Sequence, residues 1–280
     1  MRSPRPLVAV LASAVAGVSV VAGAAAGSAA PRAAASTTIT IDGSETTLAL
    51  VADLAYFYRK TQPRPPRFTL TGGGTPLGIA DAFRGTVQIG LAARDPGPGD
   101  PPSLVFTPAA YSAVCLVTHL SNPVGNVTRA TLQGIASGAV ATWPAFGGSA
   151  RTDAVHLFGF PPGEGAQAVF ERVFLDPGTP QNYAPTRVQT SSELRAGVLA
   201  DPSAFGWVDL AYTRGLNVVR YEGIPCTRAT VASGAYPGRR GLNMVTRGQP
   251  TGAVARFMQW IRFNSLARRI VTTRYVPARG

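Results

Sequence analysis

The sequence predicts an α/β protein built as two similar blocks. Three observations carry that reading: a β-α-β-α-β alternation near the start, strand-loop-helix units that recur later, and enough apolar residues to fill such cores. Of 280 residues, 45% are hydrophobic and 14% charged, which excludes the low-hydrophobicity, high-charge signature of disorder. The 31 glycines and 24 prolines follow no three-residue period, so a collagen-like rod is excluded. The formal charge is +12, and Lys60 is the sole lysine among 26 basic residues. Beside so much Ala, Gly and Pro, that arginine bias reads as coding composition, not as a nucleic-acid device.

Each element has its own justification. Residues 38–41 alternate with period two and are β-branched, the pattern of a strand. Residues 42–46 are turn and N-cap chemistry. Leu48, Val51, Leu54 and Tyr58 recur at helical spacing over 47–60, and Pro63, Pro65 and Pro66 end that helix. A strand over 67–71, a helix over 76–83 and a buried strand over 87–91 complete a start that indicates a mostly parallel sheet. Proline makes 95–102 a loop. Beyond it the pattern predicts a strand over 112–119 and a helix over 128–137 capped by Thr128. A strand over 155–158 precedes a helix over 166–174. Ser191 and Ser192 open a helix to 199, and strands follow over 205–210 and 242–247. Val254, Phe257, Met258 and Ile261 share one face of a helix over 251–264, with a short helix after it to 271. Trp143, Trp207 and Trp260 read as packing anchors.

The N-terminus reads as an export signal. Arg2 and Arg5 precede an apolar stretch over 7–26, with A-x-A-like ends at Gly27-Ser28-Ala29 and Ala33-Ala34-Ala35. An uncleaved anchor would have the same length, but the Ala/Gly-rich makeup suits one poorly. Cleavage after Ala35 leaves 245 residues at +9, because Arg2, Arg5 and Arg32 leave with the leader. No cysteine lies there for lipidation, so the expectation is a secreted, periplasmic or cell-envelope protein with no stable membrane insertion. Export of a two-cysteine chain favours one disulfide, Cys115 to Cys226; the alternative is two buried thiols. Two cysteines cannot build a four-cysteine zinc site.

Three places set glycine beside Ser, Thr or Glu at a strand-to-helix turn: 43–47, 72–75 and 163–166. The first N–H groups of a helix lack internal partners and carry about half a positive charge. Small residues let an oxyanion approach them. Several such turns facing one cleft would make a desolvated anion site.

With these motifs in order, the chain resembles the solute-binding proteins of phosphate ABC transporters. Asp42-Gly43-Ser44-Glu45-Thr46-Thr47 stands where that family has a strand, G-S-S-T and a helix. Gly72-Gly73-Gly74-Thr75 stands for G-G-G-S, and the stretch from Gly85 to Arg94 for D-I-G-x-A-S-R. The resemblance continues through Asn122-Pro123-Val124, Ser137-Gly138, Trp143 and Gly147-Gly148. Further on it takes in Ala204-Phe205-Gly206-Trp207-Val208, the stretch from Val231 to Pro237, Gly252-Ala253-Val254 and Tyr275-Val276-Pro277. It implies a two-lobed periplasmic-binding-protein-like fold of type II, each lobe a mixed sheet flanked by helices. The implied lobes are 36–110 plus 243–280, and 111–242, with phosphate or a related oxyanion between them and an ABC permease as partner.

The ligand positions that the resemblance implies are Ser44, Glu45, Thr46, Thr47, Thr75, Arg94, Glu164 and Gly165. Several depart from the family pattern. Glu45 replaces a serine, and Ala93 stands where a Ser or Asp would be. Phe160 replaces an arginine, Glu164 a serine and Ala166 a threonine. A carboxylate 4 Å from a phosphate charge costs roughly 4 kcal/mol at an effective dielectric of 20. Compensation could come from a glutamate that accepts the ligand's proton, or from Arg94, Arg151 or Arg187 entering the cleft. Glu45 and Glu164 could also occupy the helix N-termini themselves, as built-in anions. The competing reading is therefore a different small ligand, or a cleft that no longer binds phosphate. No enzyme is implied: His119 and His156 are too separated for a catalytic or metal pair, and no G-x-S-x-G elbow occurs. No cofactor, metal or nucleic-acid partner is implied, and Arg239-Arg240 and Arg268-Arg269 read as solvated surface.

Overall fold

In the first third, strands and helices alternate as their periodicities demand. β1 (Thr38–Gly43), α1 (Glu45–Thr61), β2 (Arg67–Gly72), α2 (Gly74–Arg84) and β3 (Ile89–Ala92) follow one another, with β1 parallel to both β2 and β3. These coordinates come from a computed structural model that describes residues 37–146, 149–176 and 178–278. The leader expected over 1–35 and Gly147-Gly148 fall outside the described residues. β4 (Leu104–Thr118) then runs for 15 residues, well beyond the strand expected over 112–119. β5 (Asn126–Val127), α3 (Arg129–Ser137), β6 (His156–Gly159), α4 (Gly165–Val169), β7 (Thr186–Arg187), α5 (Ser191–Ala200) and β8 (Ala204–Asp209) follow. The chain closes with β9 (Asn217–Tyr221), α6 (Arg228–Ser233), β10 (Arg239–Arg247), α7 (Gly252–Phe263), α8 (Ser265–Thr272) and β11 (Val276–Pro277).

The strand order β2-β1-β3-β10-β4-β8-β6-β7 makes a mixed sheet. β10 is antiparallel to β3 and β4, while β6 is parallel to β8 and β7. The length of β4 matters because its first part pairs with β10 and its last five residues, Val114 to Thr118, pair with β8. The strand thereby passes from one hydrophobic core to another. The first core gathers Ile39, Ile41, Leu54, Met244 and Phe257, with Tyr58 edge-on to Phe257 and Trp260 at 5.1 and 5.3 Å. The second gathers Val114, Leu116, Trp143, Phe174 and Trp207, with Phe170 stacked on Trp207 at 3.8 Å. All three tryptophans are buried, as expected of packing anchors. At the edge of the first core, Leu242 faces Ala110 but Asn243 faces Pro108, which leaves Ala109 as a bulge. Pro108 has no N–H to give a ladder, and a bulge is where a sheet tolerates it.

The sequence reading is corrected in several places. β9 and α6 are absent from it. The helix expected over 166–174 is an α-helix only to Val169 and then a π-helical turn, Phe170–Phe174. That wider turn carries Phe170 onto Trp207.

Cys115 of β4 and Cys226, just ahead of α6, form a disulfide with Cα atoms 5.6 Å apart. The link closes a loop across a sequence separation of 111 residues, and such loops restrict the unfolded chain most. Cys226→Ser should lower unfolding stability by about 2–4 kcal/mol, measured by urea denaturation of oxidised protein. A loss below half of that would mean the bridge does little for the fold.

Asp42, buried at the end of β1, has its carboxyl pushed up to about 6. Burial is the main cause, with Asp81 adding to it and Arg84 opposing. The folded pKa lies above the unfolded one, so this stabilising contribution is complete below about pH 4 and lost as pH rises through about 6. Asp42→Asn should therefore remove a decline of about 2 kcal/mol between pH 4 and 7.5. Denaturation at both pH values reads it; an unchanged slope would exclude Asp42 as its source.

Candidate ligand-binding cleft

The ends of β3 and β10 and the starts of α1, α4 and α5 surround one cavity of about 200 Å³. Glycine makes the approach possible. Gly43 has φ 124°, and a Cβ there would sit 2.4 Å from the Leu91 carbonyl oxygen. Without that Cβ, Ser44 N donates to Leu91 O at 3.0 Å and seats the start of α1 over the end of β3. Across the cleft, a Cβ on Gly165 would lie 2.7 Å from Ala93 O and 2.9 Å from Thr75 Oγ1. Only a bare α-carbon lets α4 come so close to the first core.

Glu45 and Thr46 of α1 line the cavity, as do Glu164 and Ala166 at α4. The start of α5 supplies Thr190, Ser191 and Ser192. The N-terminus of α2 reaches the same place through Glu164. Glu164 Oε1 accepts from Thr75 N at 3.2 Å, and Oε2 accepts from Gly165 N at 2.7 Å. One carboxylate thus takes an N–H from each side of the cleft. Glu45 does likewise for the turn before α2, accepting from Gly73 N at 2.9 Å. Burial raises the Glu164 pKa; the two N–H bonds oppose this, the Glu45 charge adds to it, and Arg240 opposes.

The residues expected at the site divide into two groups. Glu45, Thr46 and Glu164 line the cavity, whereas Gly165 does not and is tied to it only through the N–H it donates to Glu164. Ser44 and Thr47 are buried and do not line it. The Thr75 hydroxyl accepts from Ala93 N at 3.1 Å and so ties down the end of β3. Arg94 is engaged by Asp100 through two bonds of 2.6 Å, Arg151 pairs with Asp153, and Arg187 donates to Phe160 O. None of these three arginines lines the cavity. Phe160 does line it, but it is also packed in the second core at 3% exposure. An arginine there would have to replace core packing.

The cation of the cleft is Arg240, which the sequence reading left on the surface. It is 1% exposed; Nη1 donates to Ala93 O and Nη2 to Asp209 Oδ2, both at 2.8 Å. Its Nε is buried without a protein partner. A signal was available: neighbours in a strand face opposite sides, so one of an adjacent pair in a buried strand must turn inward. The Thr190-Ser191-Ser192 hydroxyls at α5 were also missed, although they repeat the chemistry of the other turns. His119 bonds Ser121 and His156 bonds Asp201, neither in the cleft.

Two cores joined by a shared sheet, with helix N-termini meeting at a cavity between them, define a two-lobed solute-binding fold. The chain belongs to the PBP superfamily, whose domain model matches residues 28–262. Among its relatives is the phosphate-binding protein PstS of Bacillus subtilis, 25% identical over 250 residues that cover 87% of this chain and 81% of that protein. A Clostridium perfringens structure, described as a phosphate ABC transporter substrate-binding protein with bound phosphate, superposes with a TM-score of 0.78. Its identity is 20%, and the match covers 87% of this chain and 100% of that one. An ABC-type phosphate transport receptor from Vibrio cholerae gives a TM-score of 0.71 at 21% identity, over 86% of this chain and 100% of that one.

Proposed function

We propose that the protein is an exported solute-binding protein of the phosphate ABC-transporter type, which captures phosphate in this cleft and delivers it to a membrane permease. The observation that carries the reading is the Glu164 carboxylate, already held as an oxyanion by N–H groups from both sides of the cleft. Phosphate offers the same acceptor oxygens to the same donors. The description of the Bacillus subtilis relative as phosphate-binding points the same way. The Nε of Arg240, the α5 hydroxyls and Thr46 supply further donors. Glu164 holds the anion's place while the cleft is empty and gives it up when phosphate enters.

Two separate cores support lobes of about 36–110 plus 243–280, and 111–242. No described helix is long and apolar enough to cross a membrane, and release into the envelope or medium follows from cleavage near Ala35. The protein binds and releases its ligand without chemistry, in keeping with its relatives. Isothermal titration with phosphate and sulfate at pH 5.5 and 8 tests the reading. Phosphate should bind, and its binding should weaken as rising pH ionises Glu164, whose pKa burial raises. Folded protein that binds no phosphate at either pH would overturn it in favour of a cleft filled permanently by its own glutamate.

A further inference from the structure

Acidic residues stop at Glu222. Residues 36–222 hold 13 basic and 14 acidic side chains, whereas 223–280 hold ten arginines and no Asp, Glu or Lys. Arg240 is matched by Asp209. Among the described residues, none of the other arginines in this stretch joins an ion pair. The fold brings three of them to a second cavity, of about 640 Å³. Arg239, Arg262 and Arg268 line it over a floor that includes Ile261, Val271 and Val276. It opens on the other face of β10 from the cleft, since Arg240 lines one cavity and its neighbour Arg239 the other.

Arg239 is fixed in place. Its guanidinium lies 3.5 Å above the Tyr111 ring, and Nε donates to Val231 O at 3.2 Å. Arg262 and Arg268 are exposed, and beside Arg262 at the end of α7 stands Phe263, 68% exposed. A soluble anion would call on the charges alone. The exposed phenyl ring, with the Arg262 guanidinium 5.2 Å from its centroid, gains apolar contacts only where hydrocarbon lies behind the anionic layer, which is the order met at a phospholipid surface. We propose that this face docks the protein peripherally on anionic phospholipid, with a headgroup phosphate among Arg239, Arg262 and Arg268 and Phe263 entering the interface.

Co-sedimentation of the purified protein with vesicles tests this, using phosphatidylcholine with and without 30% phosphatidylglycerol. Binding should require phosphatidylglycerol and fade as salt screens the charges. Each arginine near an anionic surface contributes about fivefold. Arg239→Gln/Arg262→Gln/Arg268→Gln should therefore weaken binding by about a hundredfold while leaving the cleft's phosphate titration unchanged. The single variant Arg268→Gln, at an exposed position, keeps the test sound if the triple variant folds poorly. Phe263→Ser should weaken binding without altering its salt dependence. Three results would overturn the proposal: equal binding to pure phosphatidylcholine or to neither vesicle; an equal loss in Arg67→Gln/Arg214→Gln/Arg220→Gln, which changes only net charge; and capture by soluble poly(glycerol phosphate) without vesicle binding.

Discussion

Glu164→Gln should tighten phosphate binding at pH 8 by about one to two powers of ten. The ionised carboxylate faces the incoming anion, and a like charge at 4 Å costs roughly 4 kcal/mol at an effective dielectric of 20. Relaxation of the side chain away from its two N–H partners returns part of that, leaving about 2–3 kcal/mol to be gained by neutralisation. The amide is isosteric but offers one acceptor oxygen, so one of the N–H groups of Thr75 and Gly165 loses its partner. The cost to the fold should stay near 1 kcal/mol, the scale of a lost helix cap. The pH dependence separates this from a simple packing effect. Burial raises the Glu164 pKa, so wild-type affinity should weaken as pH rises through that raised value. The ligand's own ionisation acts on both proteins alike, and the difference between the wild-type and glutamine curves isolates the side chain. Parallel curves at equal affinity would show that phosphate does not meet Glu164.

Arg240→Met should cost about 3–5 kcal/mol of stability, because it leaves the Asp209 carboxylate buried and unpaired. Asp209 is fully buried, with Ala211 N as its other donor at 3.0 Å. The double variant Arg240→Met/Asp209→Leu should recover most of that loss, since replacing both members of a buried pair by apolar groups is often close to neutral. Phosphate binding should not return with it, because the cleft then has no cation. Denaturation and titration of wild type, single and double variants read the two effects separately. Recovery of binding in the double variant would remove Arg240 from the site and leave it a structural role only.

Local chemistry was legible in the sequence, and long-range pairing was not. The turns at Gly43, Gly72 and Gly163 could be read because a glycine, a short polar residue and the helix it starts are neighbours in the chain. Thr38–Gly43 and Gly252–Phe263 could be read because their apolar residues keep period over enough positions. The short β5, β7 and β9 show no such run, and their strand state comes from partners far along the chain. Arg240 was misplaced for a related reason: Asp209 and Ala93, which hold it, stand 31 and 147 residues away. Family resemblance drew attention to position 160, where the arginine was missing. It carried no information on a guanidinium that reaches the cleft from another strand.

The crossing of β4 and β10 between the cores has a mechanical meaning. Where the cores meet, the pairs from Leu242 with Ala110 to Arg239 with Ala113 form an antiparallel ribbon of β10 and β4, which resists bending more than single-chain linkers would. Any swing of one core against the other must be spread as twist along this ribbon, which ends at the bulge of Ala109 inside the first core. Such a joint behaves as a leaf spring with one resting angle. Small excursions twist the ladder without loss of its bonds, and wide ones require some of those bonds to break.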